Sequence, residues 1–209
     1  MKKCIIFDLD GTLLNTIDDI CDSLNAALRD NLLSEIDVEK CKYMVGSGVD
    51  VLIQRAVPDL LKQESVKKAY MAYYEKNQKN RTQPYPHIMD LLSRLKTTSI
   101  RLAVLSNKPD IDTKRVADYY FPGIFDIVMG KKEYNLPKPA IDGCLEIMNQ
   151  LQIFDSILYV GDTNVDMQTA KNAGYQAVAV SWGFRKKEEL EQYDYMIDDP
   201  LSLLFLLGE

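Results

Sequence analysis

The chain has 209 residues, 46% hydrophobic and 27% charged, with ordinary Gly and Pro levels; this excludes collagen-like, low-complexity and disordered classes and predicts one folded unit, or one carrying an insertion. A chain of this size buries roughly 70% of its unfolded surface, so it needs no disulfide or zinc to fold. The net charge of −6 and pI near 5.0 disfavour nucleic-acid and membrane partners, although one lysine or a metal ion can still reverse the sign locally for a small anion.

The N-terminal stretch reaches Asp8 and Asp10 too soon for a signal peptide, and the apolar stretch 201–207 is too short to span a bilayer. The four cysteines (Cys4, Cys21, Cys41 and Cys144) are scattered without a C-x-x-C pair, as in a reducing compartment. A cytoplasmic protein, monomer or homodimer, is expected.

In chain order, the apolar run Cys4–Phe7 reads as a first, fully buried strand. From about Asn15 to Pro84 the pattern is helical. Thr16 with Asp19 three residues on resembles a helix N-cap, and Ile17, Ile20, Leu24 and Leu28 share one face. Short helices over 38–45 and 49–56 flank Gly46-Ser47-Gly48, and 60–80 reads as a long amphipathic helix. Beyond Pro84-Tyr85-Pro86, where His87 reads as a helix start, β-branched runs at 101–105, 124–129, 157–160 and 177–180 alternate with helical patterns at 110–120, 141–151 and 165–172. Such alternation predicts an α/β fold: a parallel sheet with helices on both faces, plus an inserted all-helical cap.

Polar residues gather where the strands end. The first strand runs into Asp8-Leu9-Asp10-Gly11-Thr12, the second into Ser106-Asn107-Lys108, a later loop holds Lys138, and another strand runs into Gly161-Asp162 with Asp166 following. Ligands of open parallel sheets bind outside the carboxyl ends of the strands, so these groups can share one crevice. Asp8 and Asp10 project to one side of an extended chain, and Gly11 permits the turn after them. With Asp162 and Asp166 they form an acidic cluster that requires a divalent cation, and an all-oxygen donor set suits Mg2+ better than zinc. With a proton on Asp10, three carboxylates are balanced by Mg2+ and Lys138, and a phosphate can approach.

These four motifs, in this order and over most of the chain, resemble the haloacid dehalogenase superfamily, in its phosphatase branch with a helical cap. The segments Gly46-Ser47-Gly48 to Ala56 and Gly161-Asp162-Thr163 to Gly174 resemble the phosphoglycolate phosphatase subfamily, with Asn15 and His87 departing from its usual Asp and Gly. The resemblance implies a Rossmann-like core (1–14 and 85–209), a cap (15–84) and a small phosphorylated metabolite as substrate. In it Asp8 is the nucleophile that becomes phosphorylated, and Asp10 first donates and then removes a proton. The Asp8 carboxylate, the Asp10 backbone carbonyl, Asp162 and Asp166 hold Mg2+, Ser106 and the Asn107 backbone bind phosphate, and Lys138 neutralises charge. Gly46, Ser47, Gly48 and Arg55 are the cap candidates for contacting substrate.

Plainer readings stand beside these. Arg55 suits a solvated helix face, Asp166 suits a first-turn helix acid, and 185–187 suits a solvated charge run. A β-phosphoglucomutase-type sugar phosphomutase is the alternative function. A dehalogenase leaves Asp10 without purpose, and a receiver-like signalling module leaves the cap without one.

Overall fold

The computed structural model describes residues 2–152 and 154–208. From the N-terminus come β1 (Lys3–Phe7), the short β2 (Leu14–Asn15), helices α1 (Ile17–Asp30), α2 (Val38–Met44), α3 (Val49–Ala56) and α4 (Leu60–Asn77), and the short β3 (Gln83–Pro84). Then follow α5 (Ile88–Lys96), β4 (Arg101–Pro109), α6 (Asp110–Tyr120), β5 (Ile127–Lys131), α7 (Asp142–Leu151), β6 (Ser156–Gly161), α8 (Asn164–Ala173), β7 (Gln176–Val180), β8 (Tyr195–Ile197) and α9 (Ser202–Leu207).

Six strands form one parallel sheet in the order β5-β4-β1-β6-β7-β8. The apolar runs do not alternate with polar residues because both sheet faces are covered. Ile5, Phe7, Leu102, Val104, Leu158, Val160, Val178 and Val180 pack with α5, α6 and α9 on one side. Their neighbours Cys4, Ile6, Ala103, Leu105, Tyr159, Ala177 and Ala179 pack with α7 and α8 on the other. β5 begins later than the apolar run at 124–129 suggests, because a turn consumes residues 121–124, closed by the Ile124 N–H on the Phe121 carbonyl (3.2 Å). The second strand overshoots its expected end. β4 continues through Ser106, Asn107 and Lys108 to Pro109, with a register irregularity after Leu105 that re-aims the side chains at its carboxyl end.

Helices α1–α4 close over a core of their own, including Ile20, Leu24 and Leu28 of α1, Cys41, Leu52, Ile53 and the Val66, Tyr70, Tyr74 row of α4. That arrangement is consistent with an inserted cap. α4 is less amphipathic than its sequence suggests: only that narrow i,i+4 row is buried, and Leu60 and Leu61 face water. The chain enters and leaves this layer through the antiparallel pair β2–β3, in which Leu14 faces Pro84 and Asn15 faces Gln83.

Asp19 locks this crossing. Instead of closing a cap box with Thr16, whose side chain makes no cap bond, its buried carboxylate accepts the Arg81 N–H (2.9 and 3.1 Å), the Thr82 N–H (2.9 Å) and the Thr82 hydroxyl (2.7 Å). Three donors on the exit segment outcompete the helix's own first turn; α4 itself stops at Asn77, short of the expected end at residue 80. Just beyond, His87 sits in the left-handed region (φ 65°) that favours glycine, its ring held 2.6 Å from Asp199. We predict that Asp19→Ala, by orphaning two backbone donors at the crossing, costs about 2–3 kcal/mol in denaturant unfolding, with Asp19→Asn milder. A loss under about 0.5 kcal/mol, the level of an ordinary surface change, contradicts this role.

Candidate active site

The carboxyl ends of β1, β4 and β6 place their polar residues around one point. Asp8 leaves β1 with its N–H on the Val160 carbonyl (2.9 Å). The turn after it needs Gly11, whose φ is 92° and whose place leaves no room for a side chain, since a Cβ there would lie 2.3 Å from Asp162 Oδ2. Gly183 gives the same clearance from the opposite side, 2.2 Å from Asp162 Cβ. Asp162 at the end of β6 accepts the Thr12 hydroxyl (3.1 Å) and the Phe184 N–H (2.8 Å). Asp166 serves two ends at once: Oδ2 accepts the Thr163 N–H (3.1 Å) and hydroxyl (2.6 Å) at the start of α8, while Oδ1 faces Lys138.

Lys138 ties the acids together. Its Nζ donates to Asp8 Oδ1 (2.7 Å), Asp166 Oδ1 (2.7 Å) and the Leu105 carbonyl (3.1 Å), which satisfies all three of its protons. Burial works against the Lys138 charge, but Asp166 and Asp8 outweigh it and hold the ammonium well above its ordinary pKa. One buried cation does not neutralise three acids. Burial, then the neighbouring Asp166, push Asp162 up to about 7. Asp8 is likewise pushed well above its usual range, by burial first, with Lys138 opposing and Asp166 and Asp162 adding.

Carboxylate oxygens of Asp8, Asp162 and Asp166 lie within 4.8 Å of one another, all buried. A hard, all-oxygen donor set short of positive charge, with glycines clearing the space beside Asp162, fits a divalent cation. Asp10 adds no carboxylate to this set. Its side chain turns the other way and forms a two-oxygen ion pair with Lys108 Nζ (2.7 and 2.8 Å).

A cleft with ≈ 530 Å³ of empty space, part of it open to solvent, lies between these residues and the helical layer. Its floor is Asp8, Asp10, Ser106, Asn107, Lys108 and Asp112; Ile20, Val45, Val49, Leu52, Tyr70, Met71 and Tyr74 roof it. Gly46 and Gly48 line it as well, and the Gly46 carbonyl accepts from Asn107 Nδ2 (3.0 Å). The Asn107 side chain is otherwise occupied with the Lys138 backbone, accepting its N–H (2.7 Å) and donating to its carbonyl (3.1 Å). Ser106 Oγ accepts the Lys108 N–H (3.2 Å).

Ser47 and Arg55 do not line the cleft. Arg55 donates to the Tyr43 and Met44 carbonyls (3.2 and 3.0 Å), at the end of α2, so its charge is spent on a helix C-terminus. Arg185 caps the same end through the Lys42 and Val45 carbonyls (2.5 and 2.9 Å), so it is no solvated charge. One functional candidate escaped the sequence: Lys108, whose only signal is its place directly after Ser106-Asn107.

Residues 5–180 match the model of the haloacid dehalogenase-like hydrolase family, and the chain belongs to that family. It is 30% identical to a phosphoglycolate phosphatase of Aquifex aeolicus over 207 residues, covering 98% of this chain and 96% of the relative. A phosphoglycolate phosphatase of Mannheimia succiniciproducens is also 30% identical, over 97% of this chain and 96% of its own. Among solved structures, one from Lactobacillus delbrueckii, provisionally assigned as a phosphoglycolate phosphatase, superposes with a TM-score of 0.93 at 31% identity, covering 100% of both chains. The fold expected from the sequence is the fold of this family.

The raised acids set a pH dependence. Below pH 7 the folded, metal-free chain keeps a proton on Asp162 that the unfolded chain releases near 3.8, so the Asp162 contribution to metal-free stability is lost as pH rises from about 4 to about 7; Asp8 acts in the same direction. A cation in the cluster replaces those protons. Thermal melts in chelator and in Mg2+ are therefore expected to differ more at pH 8 than at pH 5. An Mg2+-induced rise that is larger at pH 5 contradicts this assignment.

Proposed function

We propose that the chain is an Mg2+-dependent phosphomonoesterase, with 2-phosphoglycolate as its first candidate substrate. One observation carries the reading: a buried carboxylate, Asp8, aimed into a cleft between a fixed lysine and a second, separately held acid, Asp10. A carboxylate nucleophile needs no base to activate it, and Lys138 restrains both its orientation and its charge. Ser106 and the Asn107 N–H, at the bulged end of β4, are the donors for the phosphate oxygens. Asp8, Asp162 and Asp166, with the Asp10 carbonyl, would hold Mg2+, which would supply fixed positive charge for those oxygens.

Bond by bond, an Asp8 oxygen forms the new P–O bond as the ester P–O bond breaks, and Asp10, entering the step with a proton on one oxygen and keeping only the other on Lys108, delivers that proton to the departing alcohol oxygen. Asp10 then takes a proton from the water whose oxygen attacks phosphorus and releases Asp8. Residues 15–84 serve as the cap that excludes bulk water and bulky leaving groups. The roof favours hydrolysis of a small ester over the phosphomutase alternative. Val45, Val49, Leu52 and Met71 make much of that roof apolar, which suits a ligand with few hydroxyls better than a hexose. The names of the relatives and four free thiols support a small phosphorylated metabolite and a cytoplasmic setting.

Phosphate release from a metabolite panel, with Mg2+ and with chelator, tests the reading. Turnover should vanish in chelator and return with Mg2+, and Asp8→Asn should lower it by roughly a thousandfold or more while the protein still folds. Undiminished activity in chelator, near-normal turnover by Asp8→Asn, or conversion of β-glucose 1-phosphate to glucose 6-phosphate followed by phosphorus NMR contradicts it.

A further inference from the structure

Among the described residues, the cap presents no free cation to the cleft. Of the described residues lining it, Lys108 alone is basic, while Asp8, Asp10 and Asp112 are acidic. Lys108 is buried, and Asp10 is its ion-pair partner. Its Nζ also lies 4.7 Å from the ring centre of Tyr74. Tyr74 is 2% exposed and lines the same cleft, and its hydroxyl has no hydrogen-bond partner. A buried hydroxyl left unpaired is costly unless something else completes it. The ammonium therefore stands over the ring of a tyrosine whose hydroxyl is orphaned; both residues line the cleft, and Lys108 directly follows Ser106 and Asn107.

We propose that Lys108 and the Tyr74 hydroxyl form the subsite for a second anionic group, a carboxylate, on a compact phosphorylated hydroxy acid. The inference rests on the phosphomonoesterase reading above and adds which residues read the leaving group. Lys108 donates from one ammonium to Asp10 and to the ligand carboxylate, and Tyr74 donates its free O–H to the same carboxylate. Elsewhere in the cleft the acids repel such a group, so only an anion that reaches Lys108 is tolerated. Both anion sites open into the same cleft, so one small molecule can span them. The same arrangement makes Lys108 a positioning residue for Asp10 as well as a specificity residue, and the two roles separate by substrate.

The test compares 2-phosphoglycolate with 2-hydroxyethyl phosphate, an ester of similar length in which an alcohol replaces the carboxylate. Specificity constants are measured for the full chain in Mg2+, for the wild type, Lys108→Ala, Lys108→Arg and Tyr74→Phe. Lys108→Ala should lose about 30-fold more on phosphoglycolate than on hydroxyethyl phosphate, mostly in KM, which is the weight of one charge-assisted contact. Lys108→Arg should recover a large part of that difference, and Tyr74→Phe should lose about 5-fold more on the carboxylate. Equal losses on both esters, or no loss, overturn the subsite. Should Lys108→Ala fail to fold, Lys108→Arg and Tyr74→Phe decide alone: each must still cost more on the carboxylate than on the alcohol. If the wild type hydrolyses neither ester nor phenyl phosphate, the phosphomonoesterase reading fails and the subsite with it. If the wild type hydrolyses all three with no preference for the carboxylate, the subsite alone fails.

Discussion

The site depends on a single ammonium group placed where the sheet's strands end. Lys138 reaches across from the loop after β5 to touch Asp8, Asp166 and the last carbonyl before the β4 bulge. Desolvating an ion costs several kcal/mol, and that cost is recovered only where each proton of the ammonium finds a partner, as each does here. Its backbone is fixed in turn by Asn107, which pairs with both the Lys138 N–H and its carbonyl. Asn107 thereby joins three things: the end of β4, the lysine loop and, through Gly46, the helical layer above.

A second line of contact runs from the acidic cluster into that layer. The Phe184 N–H holds Asp162, the Phe184 side chain is buried in the core of the α1–α4 helices, and Arg185 caps the end of α2. The Tyr43 hydroxyl meets Glu189 on the same loop (3.0 Å). Movement of the helical layer thus bears on the hydrogen bond that orients one of the acids, while Asp19 keeps the two chain crossings together at the other end. The layer is attached at its base by backbone pairing and at its rim by side chains, and side-chain attachments are the easier to break and remake.

What could be read from the sequence was whatever depends on short-range order. Buried parallel strands leave apolar runs, and an acid directly after such a run stands at the strand's end, as Asp8 and Asp162 do; Ser106 lies within the longer β4. Asp166 was ambiguous between a helix acid and a site acid, and its two oxygens do both jobs. Pairings across the fold left no trace of this kind. Lys108 and Asp10 are 98 positions apart, and nothing local marks them as partners. Arg185 sat in a basic run that resembled ordinary surface, yet it caps a helix 140 residues away. Asp19 had a local partner in Thr16 by spacing, and a non-local set of donors prevailed because it offered more hydrogen bonds. For Arg55, charge and position suggested the substrate, while nearby helix-end carbonyls claimed it.

In the proposed reaction Asp8 is the nucleophile that accepts the phosphoryl group. The most direct test of this is acid quenching of the working enzyme during turnover in Mg2+, followed by mass spectrometry of its peptides. The account predicts a phosphoryl increment on the peptide carrying Asp8, labile at alkaline pH as an acyl phosphate is, and absent from Asp8→Asn. Steady turnover with no increment on that peptide, or with the phosphoryl group on another residue, would contradict it.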